Sequence, residues 1–260
     1  MHLSHITIPT AGRTRLTRTP RELLALVRSL AIPARLLFSV ADEHLHTVDF
    51  ASQPTLRARD LSRRIQSVLP EVELQAPHVK PVRDRSHLQS LVGYLLEQPT
   101  KHGLPGHPAL WPGHCFLDLI GARKLEGFSA APLMLELPRL RAGSLLPHVS
   151  LPGGPIRPID DEALRRLGAE RIIHLAAAVV GLSDLPLNRS RLATRFRQVV
   201  VHAGYAAGLA PRDIAPHLTL TTRAMRKLAA RPLDPGLLDA LRLRAAVDAL
   251  AAPRVWTGLR

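Results

Sequence analysis

The hydrophobic pattern of this 260-residue chain changes once, and that change limits the folds open to it. Up to about residue 123, strand-like and helix-like segments alternate. Beyond Leu151-Pro152-Gly153-Gly154-Pro155, the best linker candidate, the chain reads as all helix. Alternation followed by a helical run predicts an α+β unit and then an all-α one. We therefore divide the chain into an α+β unit over 1–125, a Pro/Gly/Leu-rich connector over 126–158 and a helical unit over 159–260. The α+β unit should hold an antiparallel sheet with helices packed on it. One large domain or two modest ones suit this length.

The segments are specific enough to place side chains. His5–Pro9 alternates and predicts a strand. Thr19-Pro20-Arg21-Glu22 is a helix start, with a threonine cap, proline at the first helical position and a capping-box glutamate. Leu23, Leu24, Val27 and Leu30 continue it as an apolar stripe. Ala34–Val40 is a β-type run, Asp42-Glu43 a turn, and Leu45–Phe50 alternates again. His44 and His46 thus open a strand with both side chains on one face. Leu61, Ile65 and Val68 mark a second helix, with Arg57, Arg59, Arg63 and Arg64 on its polar sides. Val72–Val82 is a strand interrupted by Pro77 and Pro81.

A third helix follows from Leu88, Leu91, Val92, Leu95 and Leu96, with Ser86 as its cap and Pro99 as its end. Tyr94 and Gln98, four apart, project from one face at the edge of that stripe. In the second half, helices are expected from Asp160 through Val179, over Arg191–Ala207, over Pro211–His217 and over Thr221–Ala230.

Charge points to the partner. There are 35 Lys+Arg against 21 Asp+Glu, a formal net charge of +14, nearly all of the excess being arginine. Arginine forks onto phosphate, so a polyanion leads the candidates. The single cysteine, Cys115, excludes an intrachain disulfide and a Cys-based zinc finger. A reducing cytoplasm is the expected location. No apolar run reaches the roughly 18 residues of a membrane span, and Met1–His5 lacks the basic and apolar regions of a signal peptide. Aromatics at 3% argue against an RNA-binding protein that stacks bases.

His44, His46, Tyr94 and Gln98 suggest the chemistry. Two imidazole nitrogens and one amide oxygen would hold a divalent ion and leave positions open for substrate and water. Magnesium prefers oxygen ligands. An imidazole pair leans toward a softer ion such as manganese, so Mg²⁺ or Mn²⁺ is the expected cofactor. Tyr94 would then attack phosphorus. A phenol with a pKa of about 10 needs a nearby positive charge, which Lys101 and His102 could supply.

These residues stand in a familiar order. Ser39-Val40-Ala41-Asp42-Glu43-His44-Leu45-His46 resembles the strand and Met-Pro-Asn-His-Val-His of the HUH single-tyrosine transposases, in particular the REP-associated tyrosine transposases. Gly93 to Leu104 resembles that family's Arg-Tyr-Ile-x-x-Asn-Pro-Val-Lys-Ala-Gly-Leu, and Trp111-Pro112-Gly113-His114 its following tryptophan segment. The resemblance spans about residues 1–123. It implies a ferredoxin-like HUH fold and single-stranded or hairpin DNA as substrate. Tyr94 would form a 5′-phosphotyrosine and release a 3′-hydroxyl, with His44, His46 and Gln98 on the metal and Lys101 contacting DNA. Glu43 stands where the family has Asn, and its Arg/Gly/Trp-rich segment is largely missing between Leu69 and Val79. A catalytically silent DNA-binding regulator derived from such an enzyme is the alternative.

The second half resembles the DNA-binding domain of the bacterial replication initiator DnaA. Asn188-Arg189-Ser190-Arg191 with Arg195-Phe196-Arg197-Gln198 is similar to its basic loop and following helix. Leu209 to Ala215 and Thr221 to Leu228 are similar to its helix-turn-helix, with Pro216 shortening the first helix. Duplex DNA is the implied partner. Arg223, Arg226 and Lys227 would enter the major groove. Arg189, Arg191, Arg195 and Arg197 would take phosphates or a narrow minor groove. A homodimer is compatible with this reading.

Overall fold

The computed structural model describes residues 2–185 and 190–252. It is α+β, with one four-stranded antiparallel sheet and many helices. The first elements are β1 (His2–Pro9), α1 (Pro20–Leu30), β2 (Arg35–Val40), β3 (His44–Ala51), α2 (Pro54–Val68) and β4 (His78–Pro81). The strand order is β2-β3-β1-β4. A β-α-β-β-α-β chain in that order is the ferredoxin-like arrangement. Directly opposed residues share a face, and neighbours along a strand alternate. Ile6, Ile8 and Leu45 therefore point to one face, and Thr7, His44 and His46 to the other.

α1 begins at its capping box: Glu22 N donates to Thr19 Oγ1 at 3.1 Å, and Thr19 N donates to the Glu22 carboxylate at 3.2 Å. Two strands differ from their sequence expectation. β1 starts at His2, because pairing with β3 up to Ala51 carries it past its apolar stretch. β4 keeps only His78–Pro81; Leu74 bridges Thr10 separately, and Pro77 has no N–H to join the two.

α3 (Arg85–Leu96) is capped by Asp84, which accepts from His87 N at 2.8 Å, and not by Ser86. Ser86 lies inside the helix, where its carbonyl accepts from Ser90 Oγ. Pro99 does not end the helical path either. Glu97 keeps a right-handed helical conformation, and α4 (Gln98–Lys101) follows at once. Bonds from Glu97 N to Gly93 O and from Lys101 N to Glu97 O, each 3.0 Å, carry the ladder past the proline. Gly103, at a φ of 57°, closes the turn.

A buried ion pair fixes the β2–β3 end of the sheet. Arg35 donates to both Asp49 oxygens at 2.7 Å, and Arg57 of α2 adds a bond at 2.9 Å. Arg35 is 1% exposed and Asp49 0%. On the free edge of β2 runs the stretch before α5 (Phe116–Leu119). Val40 N donates to Gly113 O, Cys115 N to Phe38 O, and Trp111 Nε1 to Val40 O. A Cβ on Gly113 would fall 2.4 Å from Trp111 Nε1, so only glycine fits beneath that ring. Arg123 gathers the segment by donating to Pro112 O, His114 O and the Asp118 carboxylate.

The segment 126–158 holds α6 (Ala131–Glu136) and α7 (Ala142–Leu145). Its Leu133, Leu137, Leu145, Leu146, Val149 and Leu151 are buried in the same core as the sheet. A second core follows, of α8 (Asp161–Val180, broken at Gly168), α9 (Arg191–Ala206), α10 (Pro211–Leu218), α11 (Thr222–Ala229) and α12 (Pro235–Ala251). α10 is short, eight residues with Pro216 inside it, and ends at Leu218. α12 was not evident in the sequence, being apolar on several sides at once. Leu237, Ala240 and Leu241 enter the second core, whereas Val247 and Ala251 enter the first. Lys124 N to Val179 O at 2.9 Å and Arg28 Nη1 to Gly181 O at 2.5 Å also join the two cores. Among the described residues, no helix is long and apolar enough to cross a membrane.

Candidate active site

The histidine face of the sheet meets the C-terminal end of α3. The alternation of β3 puts His44 and His46 side by side, their rings edge to face with centroids 4.5 Å apart. Gln98, one helical turn past Tyr94, is only 1% exposed. Its Nε2 donates to Tyr94 O at 3.0 Å, which turns Oε1 toward His44 Nε2 at 3.4 Å.

His46 is held from the neighbouring strand. Its Nδ1 lies 3.0 Å from Thr7 Oγ1 and 3.1 Å from His5 Nε2. Its Nε2 is buried and has no hydrogen-bond partner. An orphaned buried nitrogen of this kind costs about 1–3 kcal/mol. In the tautomer whose Nδ1–H donates to Thr7, Nε2 carries the lone pair, the form a metal requires. Burial, and then the neighbouring His44, His5 and His102, push the His46 pKa down to about 2. His5 is pushed down to about 4 by burial first, then by Lys80 and His87. His44 is also lowered, by burial and then His102, against the opposing Gln98 bond and Glu43. His5 and His46 are therefore neutral near pH 7, and His44 is biased the same way.

Do these donors suit a divalent ion? Bonds of about 2.1 Å put two ligands about 3.0 Å apart on an octahedral ion and about 3.4 Å apart on a tetrahedral one. The His44–Gln98 separation of 3.4 Å fits that span. Together with the orphaned His46 nitrogen it makes two neutral imidazoles and an oriented amide oxygen. Among the described residues no three His, Cys, Asp or Glu side chains group to hold a metal, so Gln98 would have to be the third ligand.

Tyr94 sits at the rim, 39% exposed, its ring 5.4 Å from that of His46 and 6.3 Å from that of His5. Lys101 Nζ lies 4.8 Å over the Tyr94 ring and pairs with Glu97 at 2.9 Å. The His102 ring is 4.9 Å from that of His44. His44, His46, Gln98, Tyr94, Lys101 and His102 thus share one place. Sequence reasoning missed His5 and Thr7. Their nearness to His46 depends on the β1–β3 register, Thr7 opposite His46, which no local pattern reveals.

The basic residues of the helical half lie elsewhere. Arg223, Arg226 and Lys227 are exposed on α11, which Met225 anchors at 0% exposure. Arg191 pairs with Glu126 at 2.9 Å, and Arg195 lines a groove of about 720 Å³ with Lys124. Arg197 is half-buried on α9, and Arg189 lies outside the described residues.

No family model matches this chain, and no curated protein does. Among solved structures, a REP-associated tyrosine transposase bound to a REP hairpin is similar, at 19% identity and a TM-score of 0.37. The match covers 44% of this chain and 76% of that one. A TM-score that low establishes no common fold.

Proposed function

We propose that this chain cuts and rejoins single-stranded DNA through a covalent tyrosine intermediate, with Mg²⁺ or Mn²⁺ bound by His44, His46 and Gln98. One observation carries the reading: His46 Nε2 is buried without a partner, the His44 ring, centred 4.5 Å from that of His46, has the Gln98 amide oxygen aimed at its Nε2, and the half-exposed Tyr94 ring lies 5.4 Å from that of His46. The ion would neutralise a non-bridging phosphate oxygen. Tyr94 Oη gives its proton to solvent water and bonds to phosphorus. The strand's 3′-oxygen leaves with the electron pair of the broken P–O bond and takes up a proton. Lys101 Nζ, 4.8 Å over the ring, places a positive charge beside the nucleophile. Rejoining is the reverse, a 3′-hydroxyl displacing Tyr94 from phosphorus. The 5′-phosphotyrosine polarity follows from the transposase resemblance.

Incubating the protein with hairpin-bearing single-stranded DNA and Mn²⁺ tests this. A protein–DNA adduct that survives a denaturing gel is expected. Binding without any adduct would instead indicate the silent regulator.

Duplex binding is assigned to the second core. α10 and α11 are joined by Thr219-Leu220-Thr221, with Thr219 left-handed at a φ of 51°. A helix, a tight turn and a second helix with free arginines suit a major groove. Replacing Arg223 and Arg226 with alanine should narrow the affinity gap between a selected duplex and a scrambled one, by about 1–3 kcal/mol per lost base contact. A competition assay at fixed salt reads this. An unchanged gap would remove α11 from base reading.

A further inference from the structure

An open groove of about 620 Å³ runs along α3 past Tyr94 to α4, lined by Ser86, Gln89, Ser90, Gly93, Lys101 and His148 among others. Its α3 wall is the polar side of the helix, opposite the stripe of Leu88, Leu91, Val92, Leu95 and Leu96. Its other wall comes from outside α3 and α4. His148 comes from Leu146–Val149, a 3-10 turn in the connector, and its ring lies directly on Gly93. A Cβ at Gly93 would fall 2.7 Å from His148 Cε1, so the residue before Tyr94 must be bare for the ring to lie there.

Glu97 stands between the two basic side chains. His148 Nδ1–H donates to Glu97 Oε1 at 2.9 Å, and Lys101 Nζ pairs with Glu97 Oε2 at 2.9 Å. The two donors bracket one bidentate anion in the groove that Tyr94 also lines. A carboxylate with two oxygens engaged by two nitrogen donors has the geometry of a phosphodiester's two non-bridging oxygens. Glu97 is 39% exposed in its side chain and His148 36%, so neither is locked in the core and a competing anion can reach them.

We propose that this groove binds the backbone phosphate next to the scissile one, through Lys101 and His148, with Glu97 occupying the phosphate's place in the free protein. This rests on the strand-cleavage reading. It adds that the connector supplies a substrate-contacting residue, His148. When the strand enters, the Nδ1–H and the ammonium transfer from Glu97 to phosphate oxygens, and Glu97 swings toward solvent.

The test reads binding without chemistry. The full chain, in EDTA, is titrated against a labelled single-stranded oligonucleotide, and methylphosphonate is placed at each linkage in turn. One linkage beside the cleavage position should matter most. His148→Ala should weaken binding about tenfold, as expected for losing one charge-assisted bond. It should also make that one linkage insensitive to methylphosphonate. Glu97→Gln should tighten binding several-fold. Gly93→Ala, which displaces the ring without removing it, should copy His148→Ala, and His148→Lys should recover most of the affinity. A merely structural histidine would lower thermal stability and leave the methylphosphonate pattern unchanged. Unchanged affinity in both His148→Ala and Glu97→Gln would overturn the proposal. Because no metal or cleavage is involved, the same map on a Tyr94→Phe background separates its failure from failure of the cleavage reading.

Discussion

Replacing His46 with alanine should weaken Mn²⁺ binding about a hundredfold or more and remove the DNA adduct, while leaving DNA affinity within about twofold. Changes one shell out from a metal already cost about 10–100-fold, and His46 is placed to bind the ion itself. Its Nε2 is buried without a partner, and Thr7 fixes the other ring nitrogen. Removing the ring also removes an unsatisfied nitrogen that costs about 1–3 kcal/mol. The metal-free variant should therefore lose less stability than a cavity of that size implies. The readout is the thermal shift on adding Mn²⁺, since a ligand that binds only the folded state stabilises it by RT ln(1 + [L]/Kd). Wild type should shift upward and His46→Ala should not. An undiminished shift in the variant would place the ion elsewhere.

The largest stability effect is expected at Asp49. Asp49→Ala leaves Arg35, 1% exposed, as a charge buried among apolar neighbours with its carboxylate gone. Breaking a buried pair on one side costs about 3–5 kcal/mol. At about 2–4 °C per kcal/mol for a chain of this size, the midpoint should fall by about 10 °C. Arg57 also binds Asp49 but is 19% exposed, so it can turn to water. The double replacement Arg35→Leu with Asp49→Leu should regain most of the loss, because no fully buried charge is then left unpaired and Arg57 keeps Asp60 at 3.5 Å. Calorimetry on the single and double variants decides it. If the double is as unstable as the single, shape at these two positions matters more than charge.

What was legible follows the two periods of secondary structure. The capping box at Thr19, the stripe of α3 and the alternation through β3 are local patterns, and each places side chains on a known face. That is why His44 with His46, and Tyr94 with Gln98, were readable as two pairs. What was hidden depends on register or on very short elements. His5 reaches His46 only because β1 and β3 pair with Thr7 opposite His46. His148 reaches Glu97 across 51 residues of sequence. The connector showed no period because its helices, Ala131–Glu136 and Ala142–Leu145, are too short to display one, yet its leucines fill the first core. Asp84 and Ser86 are both capping types two residues apart, so composition alone did not choose between them. α12 buries different sides in two cores and has no single stripe to detect.

The most direct measurement is covalent capture of the nucleophile. Tyr94 is half exposed beside the histidines, and the only other tyrosine, Tyr205, lies on α9 in the second core. Wild type, Tyr94→Phe and Tyr205→Phe should each be incubated with labelled hairpin-bearing single-stranded DNA and Mn²⁺, denatured, and the adduct mapped by peptide mass spectrometry. The expected result is a phosphodiester on Tyr94 in wild type and Tyr205→Phe, and no adduct in Tyr94→Phe despite nearly unchanged DNA binding. An adduct that persists in Tyr94→Phe, or maps to another residue, would contradict the assignment of Tyr94 and with it the proposed mechanism.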